Sequence, residues 1–287
     1  MHALEDSGWA GANNREMRFW ICMRGVTLET VTLMKANRAR VGLLICALTL
    51  SMVGGERALA SEPQAGRGKI RVLLVYGGHD FETNQFFHLF AQMPELTIQR
   101  EEYPGAQKFF AAEHAKDYDV LVFYDMWQDI SQKAKTDLID RLREGKGLVA
   151  LHHCLASFQS WEEYARIIGG RYHLKSWVDH GEEKPGSTYL HDVDFTAHVA
   201  HPNHPVTAGL QDFKMHDETY GGFEVGPQSD VLLTSDAPTS GRDIAWAKTY
   251  GPARVVYIQL GHDHRAYENP NYQRLVRQAI QWTAQAR

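Results

Sequence analysis

Residues 69–82 read KIRVLLVYGGHDFE. An unbroken apolar run, Val72 to Tyr76, stops at two glycines and is followed at once by His79, Asp80 and Glu82. Apolar residues at consecutive rather than alternate positions suit a strand covered on both faces, as in a parallel sheet. The pattern returns in DVLVFYD (119–125), GLVALHH (147–153) and VVYIQLGHDH (255–264). Each apolar run ends in a carboxylate or an imidazole.

Helical signals fill the intervals. NQFFHLFAQM (84–93) carries apolar side chains at helical spacing, and WEEYARIIGG (161–170) predicts another helix. Ser131 is placed to cap a helix whose Ala134, Leu138, Ile139 and Leu142 form one stripe, ending near Gly145. LTIQREEYP (96–104) reads as a more exposed strand. Strands alternating with helices predict an α/β fold with a doubly wound, mostly parallel sheet. After residue 173 the pattern becomes strand after strand, with a hairpin at Tyr250-Gly251-Pro252 in the C-terminal half. The chain closes with a helix over 271–282, for which Asn271 is the candidate cap.

Upstream, Lys35, Arg38 and Arg40 precede the apolar stretch VGLLICALTLSMV (41–53), and Ala58 and Ala60 follow at small-residue positions. This is the pattern of a secretory signal peptide cleaved after Ala60. Residues 1–60 are therefore read as an upstream extension plus signal (34–60, with Met34 an alternative start), 61–68 as a polar lead-in and 69–287 as one domain. The expectation is an exported chain, periplasmic or secreted, with no membrane contact after cleavage; an uncleaved anchor is the rival. Cys22 and Cys46 fall upstream of the cleavage, so Cys154 is alone in the mature chain and no internal disulfide forms. A formal charge of −5 without a basic cluster argues against a nucleic-acid partner. A homo-oligomer is left open.

In open doubly wound sheets, ligands bind beyond the carboxyl ends of the strands. That rule collects His79 and Asp80, then Asp125 and Trp127, then His152 and His153, then His262, Asp263 and His264 at one edge. If the strand runs on through His152 and His153, the two point to opposite faces, and His152 is the one expected in the site. In HDETY (216–220) an extended chain puts Glu218 and Tyr220 on one face and Asp217 on the other; a salt-bridged loop is the alternative. His262 and His264, two apart, suit one face of an extended segment. With His152 they form a candidate ligand set for a divalent metal such as zinc. Free cysteine is commonly a small buried hydrophobe, and Cys154 is read that way. His191, His198, His201 and His204 lie in a stretch punctuated by Pro202 and Pro205 and are read as structural.

GLVALHH, IIGGRYH, HPVTAGL, HDETYGGFEV and VVYIQLGHDHRAYENPNYQRLVRQAIQW together resemble the ThuA-like, or trehalose-utilisation, family from about Lys69 to the C-terminus. The resemblance implies a class I glutamine-amidotransferase-like, flavodoxin-like fold and a role in disaccharide metabolism through keto-sugar intermediates. In amidotransferases of this fold a G-I-C-x-G turn delivers the nucleophile, and that cysteine position falls on His152 here. Glutamine hydrolysis by a Cys-His-Glu triad is therefore not expected. The residues carried over are His79, His152, His173, Asp217, Glu218 and His262.

The resulting expectation is an exported enzyme, a hydrolase, lyase or isomerase, acting on a sugar or keto-sugar. His152, Glu218 and His262 are the catalytic candidates; His79, Asp80, Asp125, Trp127, His173, Asp217 and Tyr220 are the substrate-binding ones. No cofactor besides the metal is implied. The alternative is a noncatalytic sugar-binding or accessory protein with the same polar edge.

Overall fold

The computed structural model describes residues 68–285; the upstream extension, the signal segment 34–60 and the lead-in up to residue 67 lie outside the described residues. In chain order the strands are β1 (Ile70–Gly77), β2 (Leu96–Glu102), β3 (Val120–Asp125), β4 (Gly147–Leu151), β5 (Gly170–Arg171), β6 (Trp177–Asp179), β7 (Glu182–Lys184), β8 (Thr188–Val199), β9 (Phe213–Gly221), β10 (Glu224–Val225), β11 (Asp230–Ser235), β12 (Asp243–Tyr250) and β13 (Ala253–Ile258). The helices are α1 (Thr83–Ala91), α2 (Gln132–Arg143), α3 (Glu162–Ile168), α4 (His264–Tyr267) and α5 (Pro270–Thr283).

One sheet runs β2-β1-β3-β4-β13-β12-β11-β8-β9. Its first five strands pair in parallel, in the 2-1-3-4-5 order of flavodoxin-like folds, and the remaining four add antiparallel pairings. Every residue of β3 and β4 is buried, which is why their sequences show no alternation. Side chains nevertheless alternate between two cores. Leu74, Val122, Val149 and Val256 face α1 and α5, whereas Leu73, Leu121, Leu148 and Val255 face α2 and α3.

Helix caps follow local chemistry. Ser131 Oγ accepts from the Ala134 N–H at 3.1 Å, as expected. The cap of α5 is Asn269, not Asn271: its side chain accepts from the Asn271 and Tyr272 N–H groups, and Pro270 takes the first helical position. α4, of four residues, and β6 and β7, of three each, are too short to show a period in the sequence.

Two features of the topology build the site. β4 stops at Leu151, and residues His152–Ala156 turn into a 3-10 helix entered through a positive φ of 50° at His152. The strand does not run through the histidine pair, so the alternation argument that sent His153 to the opposite face does not apply. The second feature is the β8–β9 ribbon. Only Ala197–Val199 of β8 pair with β11, leaving the far half of the ribbon free of the sheet. A register shift between Leu190 and Val193, with Asp192 at φ 57°, bends it there. In a flat sheet β9 would lie five spacings from β4, about 24 Å. Instead it folds back over the carboxyl edge until Glu218 touches His152 at 3.0 Å.

Candidate active site

β1, β3, β4, β8 and the folded-back β9 converge on one cavity of about 240 Å³, lined by His79, Met126, His153, Tyr172, Tyr189, His191, Glu218 and Tyr220 among others; His152 and His262 lie behind this wall, against Glu218. It opens at the carboxyl edge beside the β1/β3 switch point, where the strand-order rule places ligands. Gly78 makes the approach of β1 to β3 feasible: its φ is 77°, and a Cβ there would lie 2.8 Å from the Met126 carbonyl carbon.

His152 is fully buried. Its Nδ1 donates to the Gln259 carbonyl at 2.5 Å, which orients the ring so that Nε2 faces Glu218. That Nε2 lies 3.0 Å from Glu218 Oε2 and 3.3 Å from His262 Nδ1, and Glu218 Oε2 to His262 Nδ1 closes the triangle at 3.4 Å. The Tyr220 hydroxyl reaches the same Nε2 at 3.0 Å. On the other carboxylate oxygen, His191 Nδ1 stands 3.4 Å from Glu218 Oε1. Burial acts to raise the Glu218 carboxyl, but hydrogen bonds and charge from His152 and His262 outweigh it and hold it well below the usual range. The Glu218 hydrogen bond in turn raises His262, against the lowering effect of burial.

Two imidazole nitrogens and a carboxylate oxygen this close are held together by positive charge, carried by protons on the rings or by a bound cation. A tetrahedron around zinc, with bonds near 2.0–2.1 Å, has edges of about 3.3–3.4 Å. The observed separations fall close to that, so the donor set and its spacing fit a divalent cation as well as a shared proton.

His264, expected as a third metal ligand, is placed elsewhere. Asp263 caps α4, so the chain curls after His262 and the two-residue spacing of an extended segment is lost; His264 Nδ1 pairs with Glu82 at 3.0 Å. Asp125 lies beneath the site, not in it. It is fully buried, with Oδ2 accepting from Ser157 Oγ at 2.8 Å and the Trp127 N–H at 3.2 Å. Trp127 stacks on Tyr103 and bonds Asp129, because the loop after β3 turns its indole away. His173 stacks on Trp177 and bonds Glu224, leaving its neighbours Tyr172 and Leu174 to line the cavity. Asp80 is exposed and outside the lining. Asp217 is a clamp: its carboxylate accepts from the Gly261, His262 and Glu218 N–H groups at 2.7, 3.0 and 2.9 Å, tying β9 to the loop after β13.

His153 and His191 are the residues sequence reasoning missed. His191 was set aside with the structural histidines, and the ribbon's bend removes the alternation that would have marked it. Cys154 is fully buried, and burial pushes its thiol well up, away from the reactive thiolate.

Asp125 yields a pH prediction. Burial, only partly offset by its hydrogen bonds, pushes its carboxyl up to about 7 from 3.8. A raised carboxyl favours folding below its unfolded pKa, and that contribution is lost as pH climbs from about 4 through 7, on the order of 4 kcal/mol in full. In urea unfolding at pH 5 and pH 8, Asp125→Asn should lack this decline; a parallel pH dependence in variant and parent would refute the assignment.

A family model described as ThuA, trehalose utilisation, matches residues 71–283. A ThuA-like protein from Parabacteroides merdae superposes with a TM-score of 0.63 at 19% identity, over 76% of this chain and 90% of that one. Another from Bacteroides uniformis gives 0.60 at 17%, over 78% and 94%. A cytoplasmic protein of Salmonella typhimurium gives 0.53 at 12%, over 75% and 99%. At these identities the structures establish the shared fold. Comparison with curated proteins returned no match.

Proposed function

Because the chain belongs to the ThuA family of trehalose utilisation, and so has a carbohydrate-related role, we propose that it is an enzyme acting on a sugar or keto-sugar through His152, Glu218 and His262. The triangle of imidazole nitrogens and carboxylate oxygen at 3.0, 3.3 and 3.4 Å carries this reading. Those residues would hold a divalent cation such as zinc, with His191 beside the second carboxylate oxygen. Bound there, the cation would supply Lewis-acid polarisation of a substrate carbonyl or hydroxyl. The protein's own groups do the rest. The Gln259 carbonyl keeps the His152 ring in one tautomer and orientation. Glu218, kept ionised, supplies the negative charge that the two imidazoles and the cation would share, and the Tyr220 hydroxyl hydrogen-bonds His152 Nε2. Tyr172 and Tyr189 give the cavity aromatic faces against which a sugar ring packs.

Elemental analysis is the test. One metal ion per chain is expected, removed by chelation and missing from His152→Ala and His262→Ala, with turnover of a keto-disaccharide lost in parallel. Metal-free protein in which His152→Ala turns over substrate normally would overturn the reading. Sugar binding with no turnover would point to the accessory-protein alternative.

A further inference from the structure

His153 has a feature that the proposed chemistry does not use. Its side chain is 4% exposed, and among the described residues neither ring nitrogen has a hydrogen-bond partner. Leaving a buried polar atom unpaired costs about 1–3 kcal/mol. The neighbouring polar groups of the site have partners: His152 bonds Gln259, Glu218 meets two imidazoles and Tyr220 bonds His152. His153 nevertheless lines the cavity, and one of its ring nitrogens lies within 4.8 Å of ring nitrogens of His152 and His262. Its orientation is fixed by three rings, with centroids of His79, His152 and Tyr124 at 4.3, 4.4 and 4.7 Å.

A neutral imidazole presents one donor and one acceptor, which is what a hydroxyl or a carbonyl beside a hydroxyl can satisfy. The cavity wall agrees with an uncharged partner. Its lining contains no lysine or arginine, the residues that ordinarily grip phosphate or carboxylate, and one of its lining groups is the Glu218 carboxylate. Met126, Tyr172, Leu174 and Tyr189 supply apolar surface for the carbon face of a sugar ring.

We propose that His153 is a substrate-binding residue whose ring nitrogens receive oxygens of an uncharged, unphosphorylated sugar at the reacting centre. This deepens the function proposed above and rests on it for the class of ligand, but not for the metal or for turnover.

The experiment is calorimetry on the whole protein with two probes: trehalose oxidised to a ketone on one ring, and trehalose 6-phosphate. The wild type is expected to bind the neutral keto-sugar at least ten-fold more tightly than the phosphate ester. His153→Phe, which keeps the ring stack but has no nitrogen, should lose at least ten-fold in affinity for the neutral probe with unchanged metal content. His153→Asn, which restores a donor and an acceptor, should recover part of that loss. In the wild type, the His153 ring-nitrogen resonances should shift on saturation with the neutral sugar, a readout that does not depend on a variant folding. Equal or tighter binding of the phosphate ester, unaltered affinity in His153→Phe, resonances that stay put, or no binding of either sugar would each overturn the proposal. Loss of metal from His153→Phe would make it a metal ligand instead and would also overturn it. Binding through His153 without metal or turnover leaves this inference standing while the enzymatic reading fails; metal and turnover untouched by His153 substitution does the reverse.

Discussion

Glu218→Gln is expected to lower kcat on a keto-disaccharide by roughly 10²–10³-fold, the usual range for loss of one group that stabilises charge at a reacting centre. The substitution is close to isosteric, so the cavity keeps its shape and the change is one of charge. Glu218 Oε2 is the vertex shared by the 3.0 Å contact to His152 and the 3.4 Å contact to His262. An amide there carries no negative charge to hold the two imidazoles around a common positive charge. Metal content should fall together with kcat, while circular dichroism and the thermal transition stay near those of the parent. Full turnover in a folded Glu218→Gln protein would remove this residue from the chemistry.

Asp217→Ala should produce the largest loss of stability. Its carboxylate, 2% exposed, accepts three backbone N–H groups from Gly261, His262 and Glu218. Removing it leaves three donors without their acceptor in a site with little water, at about 1–3 kcal/mol each. A total of several kcal/mol is a large share of the ~5–15 kcal/mol that holds an average domain together. The same bonds pin β9 to the loop that carries His262, so binding at the site should fail along with stability. Burial raises the Asp217 carboxyl, which marks it as a group held in place by its hydrogen bonds and not by solvation. The measurement is the urea midpoint at constant m-value; a loss below about 1 kcal/mol would show that the clamp is unimportant.

The parallel half of the sheet was legible because its signal is local. Val72–Val75 and Val120–Phe123 are apolar at every position since α-helices cover both faces, and each run ends where the polar edge begins. The same rule put His152, His262 and His79 at the carboxyl edge, because a strand end fixes where the following residues go. The misplacements share a different cause. Asp125 and Trp127 also follow a strand end, but the turn after β3 sends one carboxylate into the interior and the indole onto Tyr103. Their side-chain direction depends on loop geometry that strand spacing does not report. The cap of α5 falls on Asn269 rather than Asn271 because Pro270, which has no N–H to satisfy, takes the first helical position.

By its own pattern, then, the sequence determined the alternation of strands and helices, the carboxyl edge as the side where imidazoles and carboxylates gather, and the histidine at the end of β4. Tertiary structure alone decided what that histidine meets. Glu218 belongs to a strand that a flat sheet would hold about 24 Å away, and only the bent β8–β9 ribbon carries it, His191 and Tyr220 back over the edge. The positive φ at His152 likewise turns the chain so that His153 enters the same cavity instead of the opposite face. Periodicity records which side of a strand a residue occupies; it carries no information about a ribbon folding over or a strand stopping, and those two events assemble the site.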